Sequence, residues 1–130
     1  MSYALEHIHL KARDPVATAN WYVEAFQFEI FSDRVTTSGA RSIECKTTDG
    51  VIVRISGPRI GDVMGNGDVD IHYGLEHFGL IVDDLDAELI RMSELGVILL
   101  EGPMEIANSR LVAFIKAPDN VRIELMQIPS

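Results

Sequence analysis

Hydrophobic and polar residues alternate along two short stretches far apart in the chain, LEHIHLKARD at 5–14 and LEHFGLIVDD at 75–84. In the first, Ile8, Leu10 and Ala12 share one face, and Leu5, His7, His9 and Lys11 share the other. In the second, Phe78, Leu80 and Val82 oppose His77 and Gly79. A period of two with one apolar face predicts a half-buried strand in each place. Asp14 and Asp84 follow where helix N-caps belong, with Pro15 at the first helical position. DPVATANWYVEAF and DLDAELIRMSELG then carry helical spacing, and Gly96 supplies a C-terminal stop. Three apolar stretches complete each half: QFEIFSDRV, RSIECKTT and GVIVRIS in the first, VILLEG, RLVAFIKA and NVRIELMQ in the second. DG at 49–50 and DN at 119–120 mark the turns between the last two strands.

The two halves are one unit written twice. An ungapped offset of 70 residues carries His7 onto His77, Leu10 onto Leu80, Asp14 onto Asp84, Lys46 onto Lys116 and Val51 onto Val121. The modules span about 3–56 and about 73–127. The linker between them, about 57–72, is rich in Gly and has no periodicity.

A βαβββ unit packs only one face of its strands on its helix. Two such units side by side predict an α+β fold: a curved, cup-like mixed sheet with helices on the outside. The second strand face would line the cup. That face carries His7, His9, Lys11, Ile52, Arg54 and Ser56 in the first module, and His77, Gly79, Ile81, Arg122, Glu124 and Met126 in the second. Such a lining suits a site better than a core.

Composition narrows the partners. At 47% hydrophobic and 24% charged, the chain reads as globular. Its net charge of −9 speaks against nucleic acid and anionic membrane, which draw on clustered Lys and Arg. No apolar run is long enough for a membrane span, and the N-terminus lacks the basic and apolar regions of a signal peptide. With the single Cys45, this predicts a cytoplasmic protein. Cys45 reads as structural, as does Tyr22 in the first helix, while His72 is expected to be exposed in the linker.

The motifs HIHLKARDP with WY in the following helix, HFGLIVDDLDA and APDNVRIEL resemble those of the vicinal oxygen chelate superfamily. This group includes glyoxalase I, methylmalonyl-CoA epimerase, extradiol dioxygenases, fosfomycin-resistance thiol transferases and bleomycin-binding proteins. The resemblance covers nearly the whole chain and implies a divalent metal (Fe, Mn, Zn, Ni or Co) held by His7, His77 and Glu124. Two imidazoles and a carboxylate suit those ions and leave positions open for water or substrate. Members with four protein ligands take another from the last strand of the first module. Arg54 stands there instead, and a guanidinium cannot ligate a cation. The chain thereby departs from glyoxalase I and the epimerase.

The resemblance further implies a small oxygenated substrate, and short proteins of this kind are commonly homodimers. Glu124 is chiefly a ligand in this reading. His9, beside His7, is a candidate base, substrate donor or support for a ligand. Arg54 is a candidate anion contact, the alternative being an ion pair with Glu44. Arg122 shares its parity and is a second candidate substrate contact, though expected to be more solvated near its strand's start. Three functions are open: a metal-dependent lyase, isomerase or transferase; an Fe(II) ring-cleaving dioxygenase; and a metal-free binding protein of the bleomycin-resistance type.

Overall fold

The computed structural model describes all 130 residues. They divide into two compact units, 1–65 and 66–130. Each is a βαβββ module with a four-stranded mixed sheet and one flanking helix, as the repeat predicts.

In the first unit β1 (His7–Lys11) leads into α1 (Pro15–Phe26), then β2 (Glu29–Val35), β3 (Arg41–Lys46) and β4 (Ile52–Ser56). The sheet order is β1-β4-β3-β2, with β1 parallel to β4 and the other neighbours antiparallel. Asp14 caps α1 through a bond from the Ala17 amide, as its spacing predicts. The core lies between α1 and the sheet. Tyr22, Val53, Ile55 and Cys45 are fully buried there, with Ile43 and Ala19 beside them. Tyr22 stacks on Phe28 at 5.8 Å and meets Trp21 edge-on at 5.0 Å.

The second unit repeats the plan: β5 (Phe78–Ile81), α2 (Leu85–Glu94), β6 (Ile98–Ile106), β7 (Arg110–Ala117) and β8 (Val121–Gln127), in the order β5-β8-β7-β6. Asp84 caps α2 through the Ala87 amide. Leu85, Met92, Ile115, Ile123 and Leu125 fill the core. β6 runs four residues beyond the expected VILLEG, through Pro103 to Ile106, because two register shifts let it keep pairing with β7. No helix is long and apolar enough to cross a membrane.

The linker is not featureless. Residues 57–62 fold onto the first unit, where the Ile60 amide donates to Ser38 O at 3.0 Å. Val69 O accepts from Arg122 at 3.3 Å in the second unit. A Cβ added at Gly67 would overlap the Asp119 carbonyl, so that close approach requires glycine.

The bulges in β2 and β6 decide which side chains meet. Ile30 faces Cys45 on the core side, and strict alternation would send Ser32 and Arg34 the same way. A register shift between Ile30 and Ser32 places Ser32 opposite Glu44 and Arg34 opposite Ser42, on the polar face. In β6, Leu99 faces Ile115, but the shift that follows places Glu101 opposite Phe114, again on the polar face.

Candidate functional site

Strand register assembles the polar face of the second unit. Gly79 pairs with Glu124, and Phe114 lies across from Glu124 on the other side. His77, just before β5, reaches Glu124: its Nε2 is 2.9 Å from Oε2. The ring meets Phe114 edge-on at 5.0 Å, and its other nitrogen, Nδ1, is 3.0 Å from Glu76 Oε1. Glu76 is drawn below the usual carboxylate range, chiefly by the His77 hydrogen bond and further by Arg122.

Arg122 is where expectation and structure part. Its side chain is only 6% exposed, not solvated. Nη2 donates to Glu101 Oε2 at 2.6 Å, Nη1 to Val69 O at 3.3 Å, and Nε stands 3.4 Å from Glu76 Oε1. The guanidinium carbon lies 4.2 Å from the centre of the Phe114 ring. The bulge in β6 delivers Glu101, and the folded linker delivers Val69. Glu101, Arg122, Glu76, His77 and Glu124 therefore form one continuous polar chain. Sequence parity found Arg122 but missed Glu76 and Glu101. The repeated Leu-Glu-His triplet was the available signal for Glu76.

The first unit repeats part of this. His7 Nδ1 is 2.7 Å from Glu6 Oε1, matching the Glu76–His77 contact one module later. In both histidines a preceding glutamate holds Nδ1 and fixes which nitrogen is available. His9 pairs across the sheet with Arg54, and its Nε2 is 2.7 Å from Ser56 Oγ. Partial burial, then Lys11, Arg54 and His7, disfavour protonation of His9. Arg54 reaches Glu44 at 3.4 Å, the ion pair that the sequence held open as the alternative. His72 is half-buried rather than exposed. Its two ring nitrogens lie 2.7 Å from Asp70 O and 3.1 Å from Leu75 O, and these carbonyls, the first above all, raise its pKa.

Within neither unit do three His, Cys, Asp or Glu side chains converge so as to hold a metal ion. The second unit brings together His77 and Glu124, and His7 belongs to the first.

Cys45 is fully buried and serves the core, as expected. Burial pushes its thiol from 9.0 up to about 11. A raised folded-state pKa contributes stability that is complete below pH 9 and lost as the pH climbs toward 11, because the unfolded thiol ionises first. The stability advantage of the parent over Cys45→Ala is therefore expected to shrink across that window by roughly 1.4 kcal/mol per pH unit. Urea unfolding at pH 8, 9.5 and 10.5 checks this, and a constant difference would refute it.

A family model described as the glyoxalase/bleomycin resistance protein/dioxygenase superfamily matches residues 4–125. No curated protein matches the sequence. Among solved structures, a glyoxylase/bleomycin resistance protein/dioxygenase domain from Frankia sp. EAN1pec superposes with a TM-score of 0.80 at 17% identity, covering 99% of this chain and 100% of that one. A glyoxalase family protein from Bacillus cereus gives 0.81 at 15%, covering 98% and 95%. The fosfomycin resistance protein FosX from Listeria monocytogenes, complexed with Mn(II) and sulfate, gives 0.75 at 18%, covering 99% and 95%. At these identities the likeness is one of fold.

Proposed function

As the chain belongs to the glyoxalase/bleomycin resistance protein/dioxygenase superfamily, we propose that it is a metal-dependent lyase, isomerase or transferase acting on a small, oxygenated, anionic substrate. His7, His77 and Glu124 are its metal ligands. The single observation that carries this reading is the His77–Glu124 pair. The two atoms that meet across that 2.9 Å hydrogen bond are the two a divalent cation would take. Ligand atoms about 2.1 Å from one ion and at right angles stand about 3.0 Å apart, so the pair fits. The orientation of both rings adds support, since Glu6 and Glu76 occupy Nδ1 and leave Nε2 for the cation. A fold relative bound to Mn(II) supports the same choice.

When bound, such a metal polarises a substrate oxygen and eases loss of a proton beside it. The chain's own groups do the rest. His9, disfavoured as an imidazolium and oriented by the contact of its Nε2 with Ser56 Oγ, is the group that accepts the proton. Arg54 draws the anionic end of the substrate to the same sheet face. Arg122 acts at one remove, holding Glu76 against His77.

Titration of chelator-treated protein with Mn(II) tests this. One ion per ligand set is expected, with binding weakened more than about 100-fold in His77→Ala and Glu124→Ala. Glu6→Gln and Glu76→Gln are expected to weaken it about 10–100-fold while keeping the fold. Unchanged affinity in His77→Ala and Glu124→Ala would remove them as ligands, and no Mn(II) binding by the parent would leave the metal-free binding reading. Mixing His7→Ala with His77→Ala chains separates a set completed within one chain from one shared across a homodimer. Only the shared set regains Mn(II) binding.

A further inference from the structure

The first unit holds a concentration of charge that metal binding does not use. A cleft of about 200 Å³ opens on its sheet. Four cations line it: Lys11 from β1, Arg34 from β2, Arg54 from β4 and Arg59 from the segment that follows. The hydroxyls of Thr36, Ser38, Ser42 and Ser56 belong to the same lining, and no carboxylate does. This is unexpected in a chain with a net charge of −9.

Two carboxylates stand behind the cations. Glu44 is 3.4 Å from Arg54 and 3.9 Å from Arg34, both long for a charge-assisted hydrogen bond. Asp62 is 2.9 Å from Arg59. Against four cations, these two leave a local excess of two positive charges. Arg54 Nε is buried with no hydrogen-bond partner, a costly state that an acceptor entering the cleft would relieve. Ser42 and Ser56 are 2% and 4% exposed, so the floor is built rather than adaptable.

We propose that this cleft binds a tetrahedral oxyanion carrying two negative charges, a phosphoryl, phosphonyl or sulfuryl group on a small molecule. As the anchor of a substrate, it rests on the function proposed above. Charge and shape select this group. The excess of two charges matches a dianion. Four cations and four hydroxyls, drawn from all four strands and the segments beside them, line the cleft, more donors than the single planar fork that satisfies a carboxylate. The volume lies below the roughly 300–1,000 Å³ of clefts that take drug-sized ligands, which favours a compact ion.

Calorimetric titration of the full chain, treated with chelator and held at pH 8, tests this with inorganic phosphate, sulfate and acetate as probes. Phosphate and sulfate are expected to bind at least tenfold more tightly than acetate. Arg54→Met and Arg59→Met are each expected to weaken phosphate about tenfold. Arg59 is largely exposed, so its removal spares the fold. Arg110→Met, outside the cleft, leaves phosphate affinity unchanged. His77→Ala keeps phosphate binding even as it loses Mn(II), so failure of the metal site and failure of the anion site are read separately. No phosphate binding by the parent, acetate matching phosphate, or phosphate binding untouched in both arginine variants would each overturn the proposal.

Discussion

Arg122→Ala is expected to destabilise the second unit by about 3 kcal/mol, the cost of breaking a buried, hydrogen-bonded ion pair. Three losses combine. Glu101 loses its 2.6 Å partner, Val69 O loses a donor, and the Phe114 face loses a cation at 4.2 Å. Glu101 is half-exposed and rehydrates, which keeps the cost near the lower end of the range for buried pairs. The variant also frees Glu76, so Mn(II) affinity is expected to fall about tenfold although Arg122 is not among the proposed ligands. Urea unfolding and Mn(II) titration on the same preparation check both effects. A stability change under about 0.5 kcal/mol would show that the buried network contributes nothing net. Arg122→Lys keeps the charge but loses the planar fork, and is expected to recover only part of the loss.

Tyr22→Ala is expected to cost the first unit more, about 4 kcal/mol, in the range for deleting a buried aromatic ring. Tyr22 is fully buried and touches Trp21, Phe26 and Phe28, the last nearly parallel at 13°. No neighbour can collapse into the space without leaving its own contacts. Trp21 is the only tryptophan and lies 5.0 Å away, so its fluorescence follows the unfolding. Val16→Ala, on the exposed side of the same helix, is the control and is expected to change stability by less than about 0.5 kcal/mol. A Tyr22→Ala loss no larger than the Val16→Ala loss would mean that the helix is not anchored through this ring. The consequence extends to the opposite sheet face. α1 backs the strands that present Glu44, Arg54 and Ser56, so a loosened helix loosens the anion cleft.

Much of this was legible in the residues. Period-two alternation around His7 and His77 placed both first strands, and the Asp14 and Asp84 caps placed both helices. The 70-residue register then identified the matching members of each module. Parity put His9 and Arg54 on one face, and Gly79 and Glu124 on the corresponding face of the other module; the parallel pairs β1–β4 and β5–β8 then set them side by side. These features are local or repeat-encoded. A strand's faces follow from the geometry of its own backbone, and a repeat carries them from one module to the next.

The tertiary structure decided the rest, and its instrument was the bulge. Nothing in QFEIFSDRV or VILLEG marks where an extra residue slips into the ladder, because a bulge is settled by pairing with a neighbouring strand. One slipped residue reverses every side chain beyond it. In β2 it turns Arg34 into the anion cleft, and in β6 it turns Glu101 toward Arg122. The folded linker did likewise by bringing Val69 O to a guanidinium that its position near a strand's start had marked as solvated. The sequence by itself determined which residues could share a face. Strand pairing determined which of them are charged neighbours, because hydrogen bonds between strands, not the order of residues along one strand, set where alternation is interrupted.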